Sequence, residues 1–204
     1  MREILRMIVV LATITGVSGL VLAGVNQGTK EQRKKQLLQY VKGPAIHEVL
    51  AGSQNNPLND VEEVKVKGAE EGQGAGAFVD IFPAYKDGKL WAVAFEEKGT
   101  GFGGEIGVIV GIDVETNRLL GIGITTQKET PGLGARVKDK AFRSGFDGLS
   151  VNDNVKVKAD GGQVDAVSGA TISSRGVCDA VNKALALYRK NKEEILAGAT
   201  RKGS

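Results

Sequence analysis

The sequence predicts an α+β protein, with an N-terminal transmembrane helix followed by one domain of antiparallel hairpins and a long C-terminal helix. Three observations carry that prediction. Met7–Val25 is a run of 19 residues without a charge. Two turn sequences, Lys86-Asp87-Gly88-Lys89 and Glu115-Thr116-Asn117-Arg118, each separate two β-like runs. Ser173–Leu196 sets Val177, Val181, Leu185 and Tyr188 on one helical stripe, the spacing of a helix that buries one face. Strands grouped in hairpins, with helices set apart from them, are the α+β pattern and not the alternation of a doubly wound sheet.

The elements follow in chain order. At 1.5 Å per residue, the Met7–Val25 run matches a hydrocarbon core about 30 Å thick, so residues 1–28 read as a membrane anchor. Val21-Leu22-Ala23 resembles a small-residue cleavage site, but the apolar part of a signal peptide is only about 7–15 residues long. Length therefore favours a retained anchor. No cysteine directly follows the run, which excludes lipoprotein processing. Arg2 and Arg6 precede it, and Lys30, Arg33, Lys34 and Lys35 follow it. That count alone does not favour moving the rest of the chain out of the cytoplasm.

Residues 29–52 read as a helical stalk, with Leu37, Leu38 and Val41 giving a partial apolar face and Pro44 interrupting it. Residues 53–204 form the domain. Strands are expected at Val61–Lys67, Ala77–Tyr85, Leu90–Glu97, Glu105–Val114 and Leu119–Thr126. Asp-Gly between two such runs is a strong hairpin signal. A loop at Gln127–Gly134, a short helix at Ala135–Phe142 and short strands at Val155–Lys158 and Val164–Val167 lead to the final helix.

Composition narrows the chemistry. One cysteine, Cys178, excludes an internal disulfide framework and any multi-cysteine zinc or iron–sulfur site, and one histidine, His47, argues against a His-rich metal centre. Residues 1–43 hold seven Lys/Arg against two Asp/Glu, while the remaining residues hold 20 against 22. A body without basic excess and with few aromatics is not a nucleic-acid reader. P-loop, nucleophile-elbow and H-E-x-x-H motifs are absent from the sequence. Gly99-Thr100-Gly101-Phe102-Gly103-Gly104 formally fits G-x-G-x-x-G, but a dinucleotide fingerprint needs a helix directly after the glycines. Glu105–Val110 is β-like instead. The glycines read as a close backbone approach.

The informative stretch is Asp165-Ala166-Val167-Ser168-Gly169-Ala170-Thr171-Ile172-Ser173-Ser174. Small residues and hydroxyls lead into the long helix. Ser and Thr suit helix N-caps, and open N–H groups at a helix start attract phosphate; both readings stand on these residues alone.

Asp165-x-x-Ser168-Gly169-Ala170-Thr171 matches the D-x-x-[ST]-G-A-T flavinylation motif, in which FMN is attached through its phosphate to the threonine. Glu129-Thr130-Pro131-Gly132-Leu133-Gly134 and Gly101-Phe102-Gly103-Gly104 are two further matches. With the anchor, they resemble the G subunit of Rnf-type ion-translocating ferredoxin:NAD oxidoreductase complexes. The C subunit of the sodium-translocating NADH:quinone oxidoreductase is the close relative.

The resemblance implies covalent FMN as a phosphoester on Thr171, with Ser168, Gly169 and Ala170 shaping a turn that exposes that hydroxyl. It implies that the first helical turn, with Ile172 and the Ser173 hydroxyl, holds the phosphate, and that Asp165 serves the modifying flavin transferase or fixes the turn. Glu129, Thr130, Leu133 and Gly134 would line the flavin ring and ribityl chain. The implied protein is an electron-transfer subunit in a redox-driven ion pump of the bacterial inner membrane. Its domain is extracytoplasmic, its partners are the other subunits and the flavin transferase, and it has no substrate site of its own. The alternatives are the C subunit of the sodium pump, an anchored FMN-binding regulatory protein, and a structural module in which the motif only caps a helix.

Overall fold

The computed structural model describes residues 2–67 and 77–200. By internal packing the chain divides between Tyr40 and Val41 into two compact units. The first is helical. Helix α1, Arg2–Gln36, buries none of its residues and runs into a π-helical stretch, Leu37–Lys42. It is long and apolar enough to cross a membrane. Exposed Ile, Leu and Val side chains all round it suit lipid better than water.

The second unit contains helix α2, Gly43–Val49, which follows the π-helical stretch without a break and carries Pro44 in its first turn, where the missing N–H removes one helical hydrogen bond. The segment expected as a stalk is therefore helical to residue 49, and its second piece packs into the body.

Among the described residues five strands follow: β1 (Glu62–Val66), β2 (Ala77–Lys86), β3 (Lys89–Thr100), β4 (Glu105–Asp113) and β5 (Arg118–Ile124). They form one antiparallel meander in sequence order. Asp87 and Gly88, at φ +50° and +72°, make the tight turn between β2 and β3, as the twist of a two-residue hairpin requires. Between β4 and β5, Asp113 Oδ1 accepts the N–H groups of Glu115 and Thr116.

One sheet face is buried under helix α4, Thr171–Lys190. Val177, Val181, Leu185 and Tyr188, the stripe read from the sequence, join Val93, Phe95, Val108 and Val110 in the main core. The opposite face meets α2 where β4 and β5 lack side chains. A β-carbon at Gly111 would strike Val49, and one at Gly123 would strike Ala45.

Three expectations are corrected. The long helix does not continue to Leu196. It begins at Thr171, stops at Lys190, and a separate helix α5 spans Lys192–Thr200. The break is Asn191, fully buried, whose side chain accepts from Lys67 N at 2.6 Å and donates to Lys67 O at 3.1 Å. It joins the end of β1 to the helix junction, and α5 then packs on β1. The short strands expected at Val155–Lys158 and Val164–Val167 are reduced to a single parallel bridge between Val157 and Val164. The expected Ala135–Phe142 helix is a 3-10 turn, Gly134–Lys138, followed by helix α3, Lys140–Arg143.

Candidate functional site

Three segments far apart in sequence meet at the start of α4. The Gly101–Gly104 turn between β3 and β4 closes on itself through Gly101 N–H donating to Gly104 O at 2.8 Å. The 127–134 loop follows β5. The Val167–Ala170 turn leads into the helix, with Ala170 N–H donating to Val167 O at 2.9 Å and Gly169 at φ +77°. A residue with a Cβ at position 169 would be strained there and would press on Leu133 Cδ1 at 2.9 Å.

Between these segments lies a cleft of about 420 Å³ lined by Phe102, Glu129, Thr130, Leu133, Gly134 and the run Gly169–Ser173. That volume falls in the ~300–1,000 Å³ range of cofactor and small-molecule sites. Its rim is apolar and exposed. Phe102, Ile172 and Leu133 are 72%, 51% and 43% accessible, and such a cluster of bare apolar side chains marks a surface that something covers.

The helix start is open. Its N-cap is Ala170, and no side-chain hydrogen bond closes it. The Ser and Thr residues of the motif therefore do not cap the helix, and its first N–H groups face the cleft end without intrahelical partners. Thr171 is half-buried in the first helical position, and its hydroxyl bonds to none of the described residues.

Ser173, also in the cleft lining, has a partner within the protein. Its hydroxyl is buried and donates to Glu129 Oε2 at 2.5 Å, so its proton is not turned to the cleft. The other Glu129 oxygen, Oε1, accepts Gly103 N–H at 2.9 Å. Glu129 is only 6% exposed, and its own N–H donates to the Gln127 side-chain carbonyl.

The remaining motif residues face elsewhere. Asp165 and Ser168 line a separate hollow of about 200 Å³ with Arg136, Asp139, Phe142 and Val167. Asp165 is exposed and ion-paired to Lys158 at 2.7 Å. Nearby, the Arg175 guanidinium grips Asp160 with two bonds of 2.7 and 2.6 Å and holds that carboxyl below its ordinary range. Burial pushes the Cys178 thiol up to about 12, so it is protonated and inert at neutral pH. His47 is exposed on α2, and no group of metal-ligating side chains occurs among the described residues.

Sequence reasoning did not single out Ser174. Its hydroxyl, fully buried, accepts Val167 N–H and donates to Ala170 O, both at 3.0 Å. It braces the Val167–Ala170 turn from inside, and only its place directly after the motif hinted at this. Phe102, noted in the third motif but not assigned to the site, forms one wall of the cleft.

Residues 101–186 match the family model described as an FMN-binding domain. The G subunit of the ion-translocating oxidoreductase complex of Stutzerimonas stutzeri is 37% identical over 64% of this chain and 57% of its own length. The chain thus spans little more than half of that relative. The corresponding G subunit from Pseudomonas aeruginosa is 34% identical over 96% of this chain and 94% of its own. The crystal structure of the C subunit of the Na(+)-translocating NADH-quinone reductase from Parabacteroides distasonis superimposes with a TM-score of 0.58 at 22% identity, covering 78% of this chain and 94% of that one. That likeness shows the fold alone. The near end-to-end match at 34% identity shows the family: this chain belongs to the family of G subunits of ion-translocating oxidoreductase complexes.

Proposed function

We propose that this protein is a membrane-anchored electron-transfer subunit that carries FMN as a phosphoester of Thr171, within a redox-driven ion-translocating complex of the ferredoxin:NAD oxidoreductase type. The observation that carries the reading is the cleft at the uncapped start of α4, where the unpartnered Thr171 hydroxyl lies beside an apolar rim.

The residues present fit the group. The Thr171 oxygen would form the bond to phosphorus. An activated flavin phosphate held by the transferase would lose its leaving group, and the hydroxyl proton would pass to a base of that enzyme. The open N–H groups of the first helical turn suit the remaining phosphate charge, with the helix dipole aligned in the same sense. Phe102, Leu133 and Ile172 offer the apolar surface that a flat aromatic ring needs, and Thr130 offers a hydroxyl for its polar atoms. Gly169, Ala170 and Gly134 leave room for close approach. Bound FMN would supply one- and two-electron chemistry; the protein supplies position and exclusion of water.

Asp165 and Ser168, on the outer side of the turn, are free of the cleft and available to the flavin transferase. The body would lie on the extracytoplasmic side of the bacterial inner membrane, where covalent attachment prevents loss of the flavin. Identity of 31–37% with G subunits from several bacteria, against 22% with the C subunit of the sodium pump, favours the former assignment.

The test is intact-mass measurement of the full chain co-produced with its flavin transferase. The expected gain is one FMN less one water, absent in Thr171→Ala. A Thr171→Ala chain with the same gain, or flavin fluorescence in its denatured gel band, would overturn the assignment.

A further inference from the structure

We infer that Glu129 is a positioning residue that ties the two walls of the cleft together, rather than a contact of the flavin ring. The inference rests on the reading of the cleft as the flavin site, but the geometry behind it is the protein's own.

Glu129 is a nearly buried carboxylate that forms no salt bridge among the described residues. Removing such a group from water is costly unless donors replace the water. Two donors do so: Gly103 N–H on Oε1 and the Ser173 hydroxyl on Oε2. They lie 26 and 44 residues away in sequence, so the carboxylate joins the β3–β4 turn to the first turn of α4 across its own loop. The positive end of the α4 dipole adds to the same balance.

The surrounding glycines mark how tightly this seat is built. A β-carbon at Gly101 would strike Oε1. One at Gly134 would lie 2.6 Å from Oε2 and 2.8 Å from Ser173 Oγ.

Each tie controls a wall. Phe102 stands between Gly101 and Gly103, and its largely exposed ring lines the cleft. Among the described residues, the turn is held by one internal bond and by Gly103 N–H to Glu129. On the opposite side, the Ser173 proton points to Glu129 and away from the cleft, which leaves the phosphate to backbone N–H groups and the Thr171 ester. What the seat requires is an acceptor at Gly103 and a polar atom at Ser173. Glutamine can meet both requirements: its carbonyl accepts from Gly103, and its NH₂ donates to Ser173 Oγ, whose hydroxyl then rotates. Alanine meets neither.

The experiment uses the full chain, flavin-loaded where loading occurs, as wild type, Glu129→Ala, Glu129→Gln and Ser173→Ala. Flavin content comes from intact mass, amide exchange of the 101–104 segment from mass spectrometry, and ring exposure from iodide quenching of flavin fluorescence. In Glu129→Ala, exchange at 101–104 should rise at least tenfold and iodide quenching several-fold. Glu129→Gln should stay within about twofold of wild type in both. Ser173→Ala, which leaves the Gly103 bond in place, should keep slow exchange at 101–104.

Unchanged exchange and quenching in Glu129→Ala would overturn the inference. So would a Glu129→Gln chain that behaves like alanine, because charge and not hydrogen-bond geometry would then be at work. If Glu129→Ala fails to fold, the Gln and Ser173 variants still decide. Absence of flavin from the wild type would sink the functional reading instead, and the exchange measurement on the flavin-free chain would still test the tie.

Discussion

Gly99 near the end of β3 and Gly176 in α4 meet backbone to backbone. A β-carbon at Gly99 would collide with the Gly176 carbonyl oxygen, and one at Gly176 would come within 2.5 Å of the Thr100 carbonyl oxygen. No side chain separates helix from strand at this crossing. The first turn of α4 is thereby held against the Gly101–Gly104 turn, which is why the cleft forms where it does.

Gly176→Ala should therefore destabilise the body by at least the ~1–3 kcal/mol of an overpacked core, and should lower flavin loading because the helix start is pushed away from Phe102. Urea denaturation with flavin content measured in parallel checks both. Wild-type values for the two would mean that the crossing relaxes without moving the site.

Ser174→Ala removes the brace of the Val167–Ala170 turn and leaves the Val167 N–H buried without its acceptor. An unmet buried donor costs about 1–3 kcal/mol. The expected outcome is that loss in chemical denaturation and slower flavinylation in a time course with the transferase, although Thr171 itself is untouched.

Leu133→Ala should cost the flavin-free chain under about 0.5 kcal/mol, as expected of a surface side chain, since Leu133 is 43% exposed. Its effect should appear only with flavin bound, as a changed reduction potential at full flavin content in a redox titration. An unchanged potential would place Leu133 away from the ring.

Glu48 carries a pH dependence whose sign is defined. Arg143 from the end of α3 holds the Glu48 carboxylate on α2 through two bonds of 2.9 and 2.8 Å, and this lowers its pKa from 4.5. The folded state thus favours the ionised form. Its contribution is fully present above pH 4.5 and is lost as pH falls through the lower folded value. Glu48 is half exposed, so the pair contributes only about 0.2–1 kcal/mol. Denaturation curves at pH 6 and pH 3 should differ by that much less in Glu48→Gln than in wild type.

Topology is decided by a fusion at Ser204 to a reporter active only outside the cytoplasm. Signal is expected, which puts the body outside despite Lys30, Arg33, Lys34 and Lys35 after the span. A cytoplasmic reporter signal would show that those four charges set the orientation.

Local pattern was enough for much of this protein. An uncharged run of helical length, β-like runs on either side of Asp-Gly and Thr-Asn turns, and the Val177–Tyr188 stripe are short-range signals. The five expected strands stand where those signals put them, and the body's main helix lies on the expected stripe but ends at Lys190, short of Leu196. The motif residues that line the cleft were legible only through the resemblance of their contiguous runs to known motifs; by residue type alone, the stretch before the long helix left a cap and a phosphate site equally open. Tertiary structure decided what depends on contacts between distant segments. Asn191 ends α4 because its side chain bonds to Lys67, 124 residues away, a partner that no local pattern reveals. Val155–Lys158 and Val164–Val167 look strand-like but meet at one bridge only, since no neighbouring strand offers a ladder. The motif itself divides, with Thr171 facing the cleft and Asp165 and Ser168 facing away from it, because a turn with Gly169 at positive φ separates them. The resemblance gives Glu129 to the lining of the flavin ring and ribityl chain; its place between Gly103 and Ser173 exists only once the backbones of Gly99 and Gly176 have been brought together.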